Sequence, residues 1–371
     1  METYRQFFPI TEQKVYLNHA AVSPISTKVK QALDNFFTIR SQEQPGNWTT
    51  AVQIAAELKE MFAEIINAES SDRIAFTQNT THGLNIIASG LQWNSGDEIL
   101  IPENEFPANV YPFKNLERKG VRIKFLPVQA GGITPAILKS NIAPKTKLLT
   151  LSFVEFLSGY KHNLEQLGQI CRQNNILFIV DSIQGVGAIP IDVQKSFIDG
   201  MANGGHKWLM SPQGTGFLYV TENLQNKIRQ SHLGWTGLQD MQDFMNFDRR
   251  PRKSAGRYEL GTLNFAGIAG AHAALSLLTE VGIENIYSHV VKLTDYAIEK
   301  LESHSYKIYS NQNPEYRSGI LSFYPKKDPQ KFFNRLQNNN IVCSLREGLI
   351  RIAPHFYNNI DDIDRFIKIC Q

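Results

Sequence analysis

The chain has 371 residues, 42% of them hydrophobic, and a formal net charge of +3. That length supports a large core divided between a larger and a smaller domain, and the near-balanced charge favours neither nucleic acid nor an anionic membrane. Cys171, Cys343 and Cys370 are odd in number and lack Cys-x-x-Cys spacing, which argues against a disulfide framework or a zinc site and predicts no metal and a reduced, cytoplasmic setting.

The N-terminus, METYRQFFPITEQK, has no basic start followed by an apolar stretch, and no apolar run reaches the roughly 18 residues of a membrane span. Ser23-Pro24 reads as a helix cap followed by proline, opening an amphipathic helix through Ile39. A polar loop leads to a second helix from Ala51 to Ala68. Short β-rich runs follow at Arg73 to Thr77, Glu98 to Pro102, Val121 to Val128, Lys147 to Val154 and Ile176 to Asp181. Helical periods such as Thr81 to Leu91 and Asn163 to Asn174 separate them. Strand and helix in alternation mean an α/β fold with a largely parallel sheet covered on both faces.

Beyond Asp181, the runs Gly200 to Asn203 and Gly214 to Val220 are further strands flanking Gly204-Gly205-His206-Lys207-Trp208. Helices from Ala266 to Thr279 and Asn285 to Ser303 then leave the sheet. The tail has a β-α-β-β-α pattern: Tyr306 to Ser310, Ile320 to Tyr324, Asp328 to Asn339, Ile341 to Leu345, Leu349 to Ala353 and a last helix from Asp361. The expected domains are residues 15–265, the larger, and residues 1–14 with 266–371, a smaller α+β unit.

Ligands of such sheets gather at the carboxyl ends of the strands. Gln78-Asn79-Thr80-Thr81-His82-Gly83 presents hydroxyls and backbone N–H groups at a helix start, where a phosphate dianion binds, although Thr and Asn also cap ordinary helices. Phe106 can stack on a heterocycle or simply fill the core. Asp181 ends an apolar strand and requires a cationic partner there. A protonated pyridine nitrogen is such a partner, and Gln184 can donate to the phenolic oxygen of the same ring. The glycines and Trp208 around Lys207 do not describe a solvated face, and a buried lysine amine is a nucleophile for an aldehyde. These parts point to pyridoxal 5'-phosphate (PLP).

Asn-Thr-Thr-x-Gly at Asn79, Asp-x-x-Gln at Asp181, Gly-His-Lys at Gly205, Tyr258-Glu259-Leu260-Gly261-Thr262, and Arg351-Ile352-Ala353-Pro354-His355-Phe356-Tyr357-Asn358 occur in that order. Together they resemble the class V aminotransferases, the group containing cysteine desulfurases, selenocysteine lyases, kynureninase and isopenicillin epimerase-like proteins. The resemblance runs from Tyr16 almost to the C-terminus. It implies a PLP-dependent transferase fold of type I, with a mostly parallel seven-stranded sheet. It implies that Lys207 bonds to the cofactor aldehyde and moves protons, that Asp181 faces the pyridine nitrogen, and that Gln184 faces the phenolic oxygen. Thr80, Thr81 and His206 match phosphate ligands. Thr262 matches a residue reaching the phosphate of a neighbouring subunit, so a homodimer with shared active sites is expected. Arg351 matches the ligand of the substrate α-carboxylate, and Asn18, His19 and Ala20 match a stretch lining the substrate pocket. Arg257 and Glu259 are expected to form a structural pair.

The departures narrow the chemistry. Desulfurases related to selenocysteine lyase carry histidine where this chain has Phe106, which can stack but not shift protons. They also carry a nucleophilic cysteine on a loop before the arginine motif. Here Cys343 lies inside a β-rich run and reads as a core residue. Glu155-Phe156 replaces the asparagine of the desulfurases, leaving Gln184 as the expected contact to the phenolic oxygen, and Gly204 replaces a serine. The expected activity is that of a PLP enzyme on a small α-amino acid, by transamination or cysteine/selenocysteine C–S(e) lyase chemistry. Epimerisation or a non-catalytic scaffold are the alternatives. A nicotinamide dehydrogenase would need an early Gly-x-Gly-x-x-Gly turn, which is missing.

Overall fold

The computed structural model describes residues 1–371. Its centre is a seven-stranded sheet built from β1 to β8 without the first strand. Strand β1 (Val15–Tyr16) belongs elsewhere, and the sheet comprises β2 (Ile74–Thr77), β3 (Glu98–Pro102), β4 (Arg122–Leu126), β5 (Thr146–Ser152), β6 (Leu177–Asp181), β7 (Gly200–Gly204) and β8 (Gly216–Val220). Their order is β2-β8-β7-β6-β5-β3-β4, and only β8 runs against its neighbours. The carboxyl ends of the other six strands therefore share one edge. The order reverses between β3 and β5, which opens the crevice where such sheets bind ligands.

Period-two alternation fills both faces. Phe178 and Val180 of β6 and Phe217 and Tyr219 of β8 point into one apolar cluster. Ile179, Leu218 and Val220 point into another on the opposite face. Helix α1 (Thr27–Thr38) precedes α2 (Trp48–Ile65), α3 (Thr80–Gly90) and α4 (Leu164–Gln173), which pack on the sheet. Helix α1 begins after Ser26, whose hydroxyl accepts from the Val29 N–H, three residues beyond the expected Ser23 cap. Ser23 is committed elsewhere: its N–H donates to the His206 carbonyl at 2.9 Å.

Helix α5 (Phe265–Val281) packs on α1 and α2, while α6 (Ile283–Ser303) crosses from one core to the next. Ile286 and Val290 join the sheet's core, and Leu293, Ala297 and Leu301 join the smaller one. The second core also takes Val15 and Leu17. We propose that the division between packing units falls within α6, and that the strand at residues 15–16 belongs to the small unit.

The small unit holds β9 (Lys307–Ile308), β10 (Leu321–Tyr324), α7 (Pro329–Asn338), β11 (Ile341–Val342), β12 (Ser344–Arg346), β13 (Leu349–Ile352) and α8 (Ile360–Cys370). The expected single run from Ile341 to Leu345 is two strands. β11 pairs in parallel with β1, whereas β12 pairs antiparallel with β13, so the chain changes sheets at Cys343. Arg5 clamps the N-terminus onto this unit, forking onto both carboxylate oxygens of Asp362 at 2.7 and 3.0 Å. Asp362 also closes the capping box of α8 and accepts from Asn358. Asp362→Ala should destabilise the protein by about 3 kcal/mol, through loss of the cap and the buried ion pair. A lowered urea midpoint measures it, and an unchanged midpoint contradicts it.

Candidate active site

Three consecutive parallel strands deliver the chemistry. Asp181 ends β6, Lys207 follows β7, and the segment Phe153 to Phe156 follows β5. Asp181 is buried, with Oδ1 accepting the Ile183 N–H at 3.0 Å. Burial raises its pKa, the Glu105 charge adds to this, and the Ile183 N–H and Lys207 oppose it. Burial lowers the pKa of the Lys207 amine. Asp181 opposes that shift, and the Arg351 and Arg346 charges reinforce it.

The turn carrying Lys207 is held from several directions. Gly205 donates to the Thr215 carbonyl at 2.8 Å, Ser211 donates back to Gly205 at 2.9 Å, and the His206 carbonyl accepts from Ser23. Trp208 donates its indole N–H to Gln184 Oε1 at 2.9 Å, and its carbonyl bonds His355 Nε2 at 3.1 Å. A Cβ at Gly205 would lie 1.9 Å from Ser211 Oγ, so only glycine permits this packing. The lysine backbone is thus preorganised by residues from both ends of the chain.

Phe106 is 39% exposed, and its ring centroid lies 5.6 Å from Lys207 Nζ. Glu105 fixes that placement by accepting from the Phe106 N–H at 2.7 Å and from both the N–H and hydroxyl of Ser152 at 2.6 Å. Thr80 is buried at the start of α3 with its hydroxyl unpartnered. A Cβ at Gly204 would meet Thr80 Oγ1 at 3.2 Å and His206 Cε1 at 3.3 Å, so these three residues border one small space. Thr81 is exposed at the same helix N-terminus. Unpartnered oxygens, a glycine-bordered space and a helix start are what a phosphate requires.

Arg351, on β13, is buried beside this cleft. Its Nη1 donates to the Phe156 carbonyl at 2.5 Å while Nε has no partner, and burial followed by the Arg346 charge lowers its pKa to about 10. Donors thus remain for an incoming carboxylate.

Other expected residues stand differently. Asn18 is half-buried and accepts from the Ser344 hydroxyl at 2.6 Å. His19 is enclosed, with Nδ1 3.1 Å from the Ala353 carbonyl and Nε2 3.1 Å from the Tyr357 hydroxyl, and burial pushes its pKa to about 3. Its ring packs against Trp208 and His355. Ala20 is buried, and its carbonyl accepts from Gln184 Nε2 at 3.0 Å. We propose that His19 and Ala20 brace the Lys207 turn from behind. Gln184 is bonded at both ends of its amide, to Ala20 and Trp208. Thr262 borders an apolar cleft of about 380 Å³ with Trp48 and His272, which none of Lys207, Asp181 and Arg351 lines. The Arg257–Glu259 pair does not form. Glu259 binds Lys59 at 2.7 Å and the Phe76 N–H, and Arg257 reaches Gln230.

The structure adds Glu105 and Arg346 to this region, and it sets Glu155, a departure already visible in the sequence, near Asp181 and Glu105.

The class V aminotransferase family model matches residues 15–366. The chain belongs to that family. It is accordingly a PLP enzyme, and the residues described above fit the cofactor's aldehyde, ring nitrogen and phosphate. A probable cysteine desulfurase of Methanothermobacter thermautotrophicus is 28% identical over 98% of this chain and 95% of its own. Two solved structures of C-DES are 24% identical with TM-scores of 0.90, and establish the fold. One is a mutant with glycine covalently linked to its PLP cofactor, covering 99% of each chain. The other is the cystine C–S lyase C-DES with its product cysteine persulfide, covering 98% of this chain and 99% of that one.

Proposed function

We propose that this class V aminotransferase cleaves the Cβ–S or Cβ–Se bond of a cysteine-like α-amino acid without passing sulfur to a cysteine of its own. The observation that carries this reading is the state of the three thiols. Cys171, Cys343 and Cys370 are all buried, and burial raises the pKa of each, to about 12 for Cys343 and Cys370. None is poised as a thiolate. The names borne by the relatives, cysteine desulfurase and cystine C–S lyase, support the substrate class.

When bound, PLP supplies an electron sink that allows the α-proton and then the β-substituent to leave. Asp181 provides the negative partner for a cationic ring nitrogen. Arg351 holds the α-carboxylate, which sets the amino acid's orientation. The Lys207 amine, with its pKa lowered, accepts the α-proton. The Cβ–S electron pair departs with sulfur, and protonation gives a thiol, or a persulfide when the substrate is a disulfide. Phe106 covers the lysine and offers no proton to the leaving group, so the surrounding solvent or another group must supply it.

The smaller-scale reading of assembly follows from the surface. Phe244, Met245 and Phe247 are exposed at 62%, 83% and 85% on the segment leading to Thr262. A second copy covering them would support the homodimer in which Thr262 completes the neighbour's phosphate site.

A screen of cysteine, cystine and selenocysteine should release pyruvate with sulfide, persulfide or selenide, and Cys343→Ala should retain that turnover. An oxo acid still bearing its sulfur would instead identify transamination, and inactivation of a folded Cys343→Ala would revive sulfur transfer to the enzyme. Lys207→Ala should remove the borohydride-sensitive visible band and lower turnover at least about 1,000-fold. Persistent turnover contradicts the assignment. Arg351→Leu should raise KM about 10- to 100-fold, the equivalent of a lost charged hydrogen bond, and an unchanged KM removes it from the pocket.

A further inference from the structure

Glu155 is a fully buried carboxyl group that no donor in the chain answers. Both its oxygens are enclosed, and neither has a hydrogen-bond partner. Its neighbours make this more than a missing contact. Glu105 and Asp181 lie close enough for their negative charges to act on it. His162 places Nε2 4.0 Å from Glu155 Oε1. That nitrogen carries no proton. His162 Nδ1 is 2.9 Å from the Ser152 carbonyl, to which it can only donate, and Nε2 accepts the Ile133 N–H at 3.1 Å. The imidazole is therefore neutral, and burial pushes its pKa down to about 4. Tyr309, a phenol whose pKa burial raises, supplies no cation. Arg351 spends Nη1 on the carbonyl of the next residue, Phe156.

An unpaired buried carboxylate is among the most costly groups a core can hold, so a carboxyl in this setting retains its proton. Glu105 is the contrast. Burial raises its pKa as well, but it accepts from Ser152 twice, Phe106 and Asn109, and those donors oppose the shift. One acid is solvated by the protein and the other is not.

A neutral carboxylic acid carries an O–H, and here that O–H has no acceptor among the protein groups. The acceptor is therefore a water or an atom of a ligand. Glu155 follows β5 and Lys207 follows β7, the strands on either side of the one ending in Asp181. Both thus approach the sheet edge above Asp181, where the proposed function puts the cofactor ring. Gln184, the expected donor to the phenolic oxygen, has its amide bound to Ala20 and Trp208.

We propose that Glu155, as an un-ionised acid, donates the hydrogen bond to the phenolic oxygen of PLP. The inference rests on the cofactor reading above. It makes Glu155 a cofactor-tuning residue. A donor on that oxygen draws electron density from it and weakens the oxygen's hold on the neighbouring proton at the Lys207 nitrogen.

The test is a pH titration of the visible band of the PLP-loaded protein. Replacing the donor in Glu155→Leu should move the apparent pKa of the band upward by about one to two pH units, the equivalent of a charged hydrogen bond. Glu155→Gln keeps an N–H donor and should titrate within about half a unit of the wild type on the same scale. A second readout needs no cofactor. Infrared difference spectra of the cofactor-free protein at neutral pH should show a protonated carboxyl stretch that Glu155→Gln removes, and this remains available if the Leu variant does not fold. A Leu variant that titrates as wild type, or a wild-type spectrum without that stretch, overturns the proposal. Failure of the wild type to form any visible band with PLP overturns the cofactor reading itself, and is seen before any substitution is made.

Discussion

Opposite charges held at the ends of neighbouring parallel strands, with little water to screen them, are the constraint on which the site depends. Asp181 loses solvation at the end of β6, and Lys207 loses it in the turn after β7. Each shifts toward its neutral form in the free protein, because desolvation outweighs their mutual attraction. In the function proposed here, a cationic ring nitrogen supplies Asp181 with a partner, and an aldehyde meets an amine that is already easy to deprotonate. The cost of burying the two groups thus becomes selectivity for a cofactor that carries both complements.

That arrangement requires a rigid frame, and the frame is assembled from distant parts of the chain. Ser23 and Ala20 near the N-terminus, Gln184 after β6, Thr215 before β8 and His355 near the C-terminus all bond the Lys207 turn or the residues supporting it. His19, enclosed between Trp208, His355 and Tyr357, adds a wall whose imidazole stays neutral. The small unit enters the same cleft through Arg351, whose bond to Phe156 joins β13 to the segment after β5. Motion of one unit against the other would therefore be felt at this guanidinium.

The region also contains three acids with separate environments. Glu105 is satisfied by four donors and positions Phe106. Asp181 has one backbone donor and the lysine's field. Glu155 has no donor. Similar chemistry in the free amino acids is divided by local hydrogen bonding into one acid with four donors, one with a single backbone donor and one with none. Phe106 has no ionisable group, so its ring neither holds nor moves a proton beside Lys207.

Much of this was legible in the chain. Apolar runs of four to seven residues, alternating with helical periods, announce a covered parallel sheet, because only such a sheet buries both faces of each strand. Asp181 and Lys207 were recognisable because a charge abutting an apolar strand or a glycine turn has no ordinary surface role. The antiparallel direction of β8 was not legible, since strand direction depends on which partners the folded chain finds. Nor was the change of sheet at Cys343, because one β-rich run satisfies the same local preferences whether it pairs with one partner or two. The burial of His19, the engagement of Gln184, the Lys59–Glu259 pair and the unpartnered state of Glu155 depend on contacts across tens to hundreds of residues. Residue type and spacing specify what a side chain can bond to. Only the tertiary structure decides which of those bonds are already made and which are left for a ligand, because burial removes the water that would otherwise satisfy them all.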